Sequence, residues 1–330
     1  MHDATKCLHS GYNPRNGEPR VIPIVQSTTY VYDSTEAIGA VFDDPTTGLI
    51  YSRFANPTVM AVEDKIADLE GGAGALCTSS GQSALLLAIL NICNAGDSII
   101  STSQIYGGTI NLFAHTLKQL GIHTTFIDAS APDQEFQSAF DPGVKLIFGE
   151  TLSNPTLTVL DIERIAKIAH ANNVPLIVDN SFATPILCKP VQFGADIVVH
   201  STSKYMDGHA VQVGGVIVDS GGFNWAHGNF PGLSQPDESY HGIVYAKTYG
   251  KTAYIAKARM QLMRDFGVYP AAHSAFLLNL GLETLTVRME RHCQNALMVA
   301  KYLEACPHVE TVLYPGLSGN AHYDLAQKYL

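Results

Sequence analysis

The stretch VPLIVDNSFATPILCKPVQFGADIVVHSTSK, residues 174–204, holds two short apolar runs that each stop abruptly at polar residues. VPLIVDN (174–180) and ADIVVHS (195–201) are short, apolar and bounded by polar or turn residues, and they read as buried strands. The same pattern recurs on either side. GALCTSS (74–80), SIISTS (98–103), HTTFID (123–128), VKLIFGE (144–150) and GGVIVDS (214–220) read as further strands. Longer amphipathic runs separate them. SALLLAILNIC (83–93) reads as a helix, and GGTINLFAHTLKQLG (107–121) spaces Ile110, Phe113, Ala114, Leu117 and Leu120 along one helical face. DIERIAKIAHANN (161–173) opens on Asp161, suited to an N-cap, and aligns Ile162, Ile165 and Ile168. Strands alternating with helices predict an α/β fold with a mostly parallel sheet and helices on both faces. Ligands of such sheets bind beyond the carboxyl ends of the strands. That directs attention to Ser79–Gln82, Tyr106, Glu150, Asn154, Asp179 and Ser201–Lys204.

Residues 1–60 differ from the rest. Pro14, Pro19, Pro23, Pro45 and Pro57 punctuate short extended pieces, and no helical periodicity is evident before Thr58. This segment is expected to be an arm packed on a neighbouring subunit. Residues 61–265 form the expected main domain. GGFNWAHGNFPGLSQPDESYHG (221–242) reads as an ordered loop within it, and 266–330 as the beginning of a small C-terminal α+β domain. There, helices are expected over 273–303 and a strand within HVETVLYPGL (308–317). Charged residues make up 15% of the chain, against about 25% in typical globular proteins. That fits a large core with apolar surface left for a subunit interface. The net charge of -10 argues against a nucleic-acid partner, which needs clustered Lys and Arg. The six cysteines form no CxxC pair, and no apolar stretch approaches the ~18 residues of a membrane span. Together with a polar N-terminus, these features predict free thiols and a cytoplasmic location.

Three features could carry chemistry. In CTSSGQSALLLAIL (77–90) a strand turns into a helix through small residues. This is either ordinary capping or an anion site at a helix N-terminus, where unpaired N–H groups converge. Asp179 is either a satisfied turn residue or a carboxylate that keeps a heterocyclic nitrogen protonated. Lys204 is either structural or an amine sheltered from water, able to condense with an aldehyde. Ser201 and Ser203 beside it could donate to a phosphate. Taken jointly, a phosphate cradle, a strand-end Asp and a lysine among hydroxyls meet the requirements of pyridoxal 5′-phosphate. No GxGxxG follows a strand, no GxxxxGK[ST] occurs, and no HExxH or clustered Cys/His set suggests a metal.

At these residues the sequence resembles the Cys/Met-metabolism family of fold-type I pyridoxal-phosphate enzymes. YSRFANPT (51–58), SSGQSA (79–84), IYGGT (105–109), ETLSNPT (150–156), VDNSFATP (178–185) and HSTSKYMDGH (200–209) carry the resemblance, in the family's order. The resemblance implies that Lys204 forms the Schiff base with the cofactor and shuttles protons. It implies that Asp179 partners the ring nitrogen and that Tyr106 stacks on the ring. Ser80, Gly81, Gln82, Ser201 and Ser203 would cradle the phosphate. Asn154 would lie near the cofactor's phenolic oxygen, with Glu150 a weaker correspondence. Tyr51 and Arg53 would reach the phosphate of a neighbouring subunit, making a dimer the minimum unit and a tetramer usual. The FPGL…PDxSYHG pattern in 221–242 resembles the O-acetylhomoserine sulfhydrylases of the family, and Gly108 stands where methionine γ-lyases commonly carry Cys. The implied reaction replaces the ester group of an activated homoserine with sulfide, giving homocysteine and acetate for methionine biosynthesis. Methionine γ-lyase and cystathionine γ-synthase chemistry are the alternatives. Family members also run on beyond the equivalent of Leu330, where the residues binding the substrate's α-carboxylate lie. A truncated, cofactor-binding but inactive oligomer is therefore a further expectation.

Overall fold

A computed structural model describes residues 1–43 and 47–330; Pro45 lies outside them. Seven of the eight expected strands form: β1 (Gly74–Thr78), β2 (Ser98–Thr102), β3 (His123–Ile127), β4 (Val144–Glu150), β5 (Leu176–Asp179), β6 (Ile197–Ser201) and β7 (Gly215–Asp219). They make one sheet in the order β1-β7-β6-β5-β4-β2-β3. β7 runs antiparallel to both its neighbours, and every other pairing is parallel. The strands are near-continuous apolar runs because both faces are covered. In β4, Ile147 joins one core cluster while Leu146 and Phe148 join the other.

The helices follow from their ends and apolar faces. α1 (Asp3–His9), α2 (Thr35–Asp43) and α3 (Pro57–Glu70) precede the sheet. α3 starts on Asn56, whose side chain accepts from the N–H groups of Thr58 and Val59, with Pro57 at the first helical position. It ends at Gly71 in the left-handed conformation. α4 (Gly81–Leu90) begins two residues earlier than the sequence pattern suggests. Ser80 and Ser83 cap it reciprocally, each side chain taking a backbone N–H of the other. α5 (Gly107–Asn111) follows β2, α6 (Asp133–Ser138) precedes β4, and α7 (Ile162–Ala171) follows it. Asp161 caps α7 as expected, and Ile162, Ile165 and Ile168 are buried. α3 and α7 cover one face of the sheet, and α4 with Tyr245, Tyr254 and Trp225 covers the other.

Two expectations are corrected. Residues 1–60 hold helices α1 and α2. α1 docks on its own chain: Cys7 is fully buried, and Lys6 pairs with Asp68 at 2.8 Å. Each helix is too short to display a repeating apolar face; in α2 the anchoring positions reduce to Ile38 and Val41, one turn apart. The segment 308–317 forms no strand, and among the described residues no strand pairs with it. Apolar content alone cannot hold an extended segment without a partner ladder. The loop 221–242 is ordered, as expected, around Trp225, which stacks on Tyr254 at 4.9 Å and meets Phe223 and Phe230. Among the described residues no helix is long and apolar enough to cross a membrane.

At the end of β7 away from the strand tips, Asp219 is wholly buried. Its Oδ1 accepts from Gly221 N–H at 2.8 Å, and its Oδ2 has no partner. Burial, reinforced by Asp196, pushes its carboxyl up to about 7. The folded state therefore holds this proton more tightly than the unfolded chain, where an Asp titrates near 3.9. Stability from this group is present below pH ~4 and is lost as pH rises toward 7. Asp219→Asn keeps an acceptor for Gly221 and removes the charge. It should raise the thermal midpoint at pH 8, by on the order of 2 kcal/mol of stability, with the gain shrinking toward pH 5 and vanishing near pH ~4. Thermal melts across pH 5–8 check this; an equal shift at both ends would rule out a charge effect.

Candidate active site

The carboxyl ends of β4, β5 and β6 lie side by side, and β7 brings its amino end to the same edge. In register, Glu150 faces Asp179 across β4 and β5. Ser201 faces Gly215 across β6 and β7, and Thr78 faces Gly215 across β1 and β7. Gly215 thus stands between two turns distant in sequence. A Cβ there would overlap the carbonyl of Ser80, and a Cβ on Gly81 would stand 2.7 Å from Ser201 Cβ. Only bare backbone lets the Ser80–Gly81 turn seat against Ser201. The result is a close join between the first turn of α4 and the end of β6. The backbone N–H groups of a helix's first turn lack helical partners, so this join suits an anion.

Asp179 ends β5 with its Oδ1 accepting Ser181 N–H at 2.8 Å. Burial raises its pKa, while hydrogen bonds from Ser181 and the proximity of His200 oppose the rise. Ser181 also ties β5 to β6, because its Oγ accepts Ser201 N–H at 2.6 Å. Glu150 takes two backbone donors: Tyr106 N–H at 2.7 Å on Oε1 and Asn154 N–H at 3.3 Å on Oε2. The burial of Glu150 pushes its pKa up, and the neighbouring Asp179 carboxylate pushes it further. Of the two, Asp179 is better placed to keep the charge and Glu150 to take the proton. Glu150 also fixes both loops that carry the remaining candidates. Tyr106 begins α5 with its ring half-exposed and folded against Gly108, where a Cβ would collide with it.

Lys204 lies three residues past the end of β6, in a turn closed by Gly208 N–H donating to its carbonyl at 2.8 Å. Lys204 is exposed in the single chain, so this chain alone does not supply the shelter from water expected for the amine. A site outside the strand ends is covered only by whatever closes over that edge. Ser203 has its hydroxyl engaged with Gly214, donating to its carbonyl at 3.2 Å and accepting its N–H at 3.0 Å. A hydroxyl has one proton, so in this arrangement Ser203 shapes the turn while Ser201 faces Gly81.

Tyr51 and Arg53 stand apart. The Arg53 guanidinium lies over the Tyr51 ring, 5.2 Å from its centroid, and Arg53 Nε is buried without a partner. Among the described residues, no hydrogen bond or ring contact joins them to Lys204, Asp179 or the Ser80 turn. Arg259 anchors this segment, donating to Phe54 O at 2.7 Å and pairing with Glu63 at 2.6 Å. Ser181, Gly215 and Arg288 were missed by sequence reasoning. Arg288, on the helix Leu285–Glu304, donates to Tyr205 O and to Gly281 O, each at 2.7 Å, and so braces the Lys204 turn. The serine two residues after Asp179 and the Gly at the start of β7 are visible in the sequence, but their partners are not.

The family model for the Cys/Met metabolism PLP-dependent enzymes matches residues 4–330. The chain belongs to this family. Among its relatives, the homocysteine/cysteine synthase of Saccharomyces cerevisiae is 45% identical over all of this chain and 75% of its own length. The O-acetyl-L-homoserine sulfhydrylase of Leptospira meyeri is 43% identical over 98% of this chain and 75% of its own. A solved structure from Campylobacter jejuni, assigned to an O-acetylhomoserine (thiol)-lyase, superposes with a TM-score of 0.96 at 35% identity. It covers all of this chain and 80% of that one, and it carries N′-pyridoxyl-lysine-5′-monophosphate. As a member of the Cys/Met family, this protein uses pyridoxal 5′-phosphate. The strand-end residues fit that group: bare backbone at Gly81 and Gly215 lets the first turn of α4 lie directly beside Ser201, and Asp179 presents a carboxylate at the same edge.

Proposed function

We propose that the protein replaces the acyl group of O-acetylhomoserine with sulfide, forming homocysteine and releasing acetate. The Cγ–O bond breaks and a Cγ–S bond forms. The observation that carries the reading is the meeting of the Lys204 turn, Asp179 and the Ser80–Gly81 turn around Gly215 at one sheet edge. The names of the relatives at 41–46% identity select the reaction.

When bound, pyridoxal phosphate supplies an electron sink for carbanion chemistry at the amino acid's α-carbon. Lys204 Nζ would hold the cofactor's carbonyl carbon and would take the substrate's α-proton. Asp179 keeps a proton on the ring nitrogen. The N–H groups of Gly81 and Gln82, the Ser80 turn and Ser201 bind the phosphate. Tyr106 presents its half-exposed ring to the cofactor, and Asn154 lies on the loop that Glu150 holds. Tyr51 and Arg53 serve the phosphate of a neighbouring subunit, so a homodimer or tetramer is the working form and residues 51–56 supply its shared element. Arg53 Nε, buried with no partner in its own chain, supports this. The division into 1–60, 61–265 and 266–330, and a cytoplasmic setting for six unpaired thiols, belong to the same proposal.

Methionine γ-lyase activity is the second reading. Gly108 stands where methionine γ-lyases commonly carry Cys, and this favours replacement over that lyase. Homocysteine formation from O-acetylhomoserine and sulfide should exceed 2-ketobutyrate formation from methionine by at least about tenfold in kcat/KM. Ketobutyrate as the main product would overturn the assignment.

A further inference from the structure

Behind the strand ends, on the sheet face opposite Asp179 and Ser201, sits a second polar group that the reaction does not use. Thr151, Asn180 and His200 each stand one residue from Glu150, Asp179 and Ser201. Side chains alternate along a strand, so a residue next to one aimed at the site points to the reverse face. There Thr151 Oγ1 donates to Asn180 Oδ1 at 2.8 Å, and Asn180 Nδ2 donates to Glu70 Oε1 at 2.9 Å and to Cys188 O at 2.9 Å. His200 Nε2 lies 2.7 Å from the same Glu70 oxygen. Glu70 is the last residue of α3. All four side chains are at most 1% exposed. Glu70 Oε2 and His200 Nδ1 have no partner. Buried polar atoms without partners are costly and scarce, so a packed apolar face here would be more stable. That cost needs a reason.

We propose that Glu70, His200, Asn180 and Thr151 form a positioning unit that locks the carboxyl ends of β4, β5 and β6 from behind. It thereby sets the affinity for pyridoxal phosphate and the ionisation of its ring nitrogen. One side chain from each strand end joins the chain of hydrogen bonds, and α3 anchors them all through Glu70. Displacing any member frees a strand end, and with it Asp179, Ser201 or the Tyr106 and Asn154 loops that Glu150 holds. The proximity of His200 also acts on Asp179 directly, opposing the effect of burial on its carboxyl. The inference rests on the assignment of Asp179 and Ser201 to the cofactor.

The test uses the full chain stripped of cofactor and titrated with pyridoxal phosphate, read by visible absorbance and its pH dependence. Thermal melts of the cofactor-free protein run in parallel. His200→Leu should raise the dissociation constant at least about tenfold and shift the pH profile of the bound cofactor. His200→Gln, which can still donate to Glu70, should recover most of the affinity. Thr151→Val removes one hydrogen bond at nearly constant volume and should weaken binding about threefold; it carries the test if His200→Leu does not fold. Folded variants that melt lower without cofactor, yet bind it with unchanged affinity and pH profile, would overturn the proposal by reducing the network to scaffolding. Failure of the unsubstituted protein to bind pyridoxal phosphate would instead overturn the cofactor assignment on which the proposal rests.

Discussion

Lys204→Ala is expected to abolish turnover, lowering kcat by at least about 10⁴-fold. The loss is large because one side chain performs two tasks. On the proposed assignment it holds the cofactor covalently and accepts the proton removed from the substrate α-carbon. The turn that presents it is closed by Gly208 N–H and braced from outside by Arg288, neither of which depends on the lysine side chain. The variant should therefore fold, with a thermal midpoint close to the parent's. Its visible absorbance should lack the band of lysine-bound cofactor, and added primary amines should restore a small part of the rate. Retention of that band together with turnover would show that another amine serves the reaction. The exposed lysines elsewhere would then need testing in turn.

Asp179→Asn should lower kcat by about 10³-fold with KM changed far less. Asparagine keeps the shape and can still accept the Ser181 N–H that Asp179 Oδ1 takes at 2.8 Å. It cannot hold a proton on the ring nitrogen, so what is lost is charge and not packing. Ser181 and His200 favour the ionised form of Asp179 against the burial that raises its pKa, and Glu150 beside it is raised as well. In the parent, the Asp179 carboxylate beside Glu150 therefore helps to keep Glu150 protonated. The substitution removes the like-charge neighbour and should let Glu150 ionise at lower pH. The acid limb of the residual pH–rate profile should move accordingly. A kcat within tenfold of the parent's would remove Asp179 from the chemistry.

Much of this was readable from local pattern. The strand over Val144–Glu150 matches the sequence reading residue for residue, because an apolar run ending in a charge marks both its length and its tip. Asp161 marks the start of α7 through the capping preference of a short acid. Lys204, Asp179 and the Ser80 turn were singled out because a strand end is where such residue types can meet a ligand. Local pattern failed where the stabilising partner is remote. α1 has seven residues and is held by α3 and by the helix Leu285–Glu304, not by its own periodicity. HVETVLYPGL carries strand-like residues but finds no partner ladder among the described residues. Ser181, Arg288 and Glu70 were silent for the same reason. Each acts on residues 20 to 130 positions away.

Local sequence was enough for the seven strands of the sheet and their order along the chain, the faces of the main helices and the residue types that end each strand. These depend on a few neighbouring side chains and on the periods of strand and helix. Which strand ends meet depends on the assembled sheet. The antiparallel turn of β7 places Gly215 between Thr78 and Ser201, seats the Ser80 turn against β6, and leaves Lys204 open to the solvent side of the edge. It also closes the Glu70–His200 group behind that edge. Strand register and sheet order arise from the joint burial of both faces, a condition on the whole chain that no single segment contains.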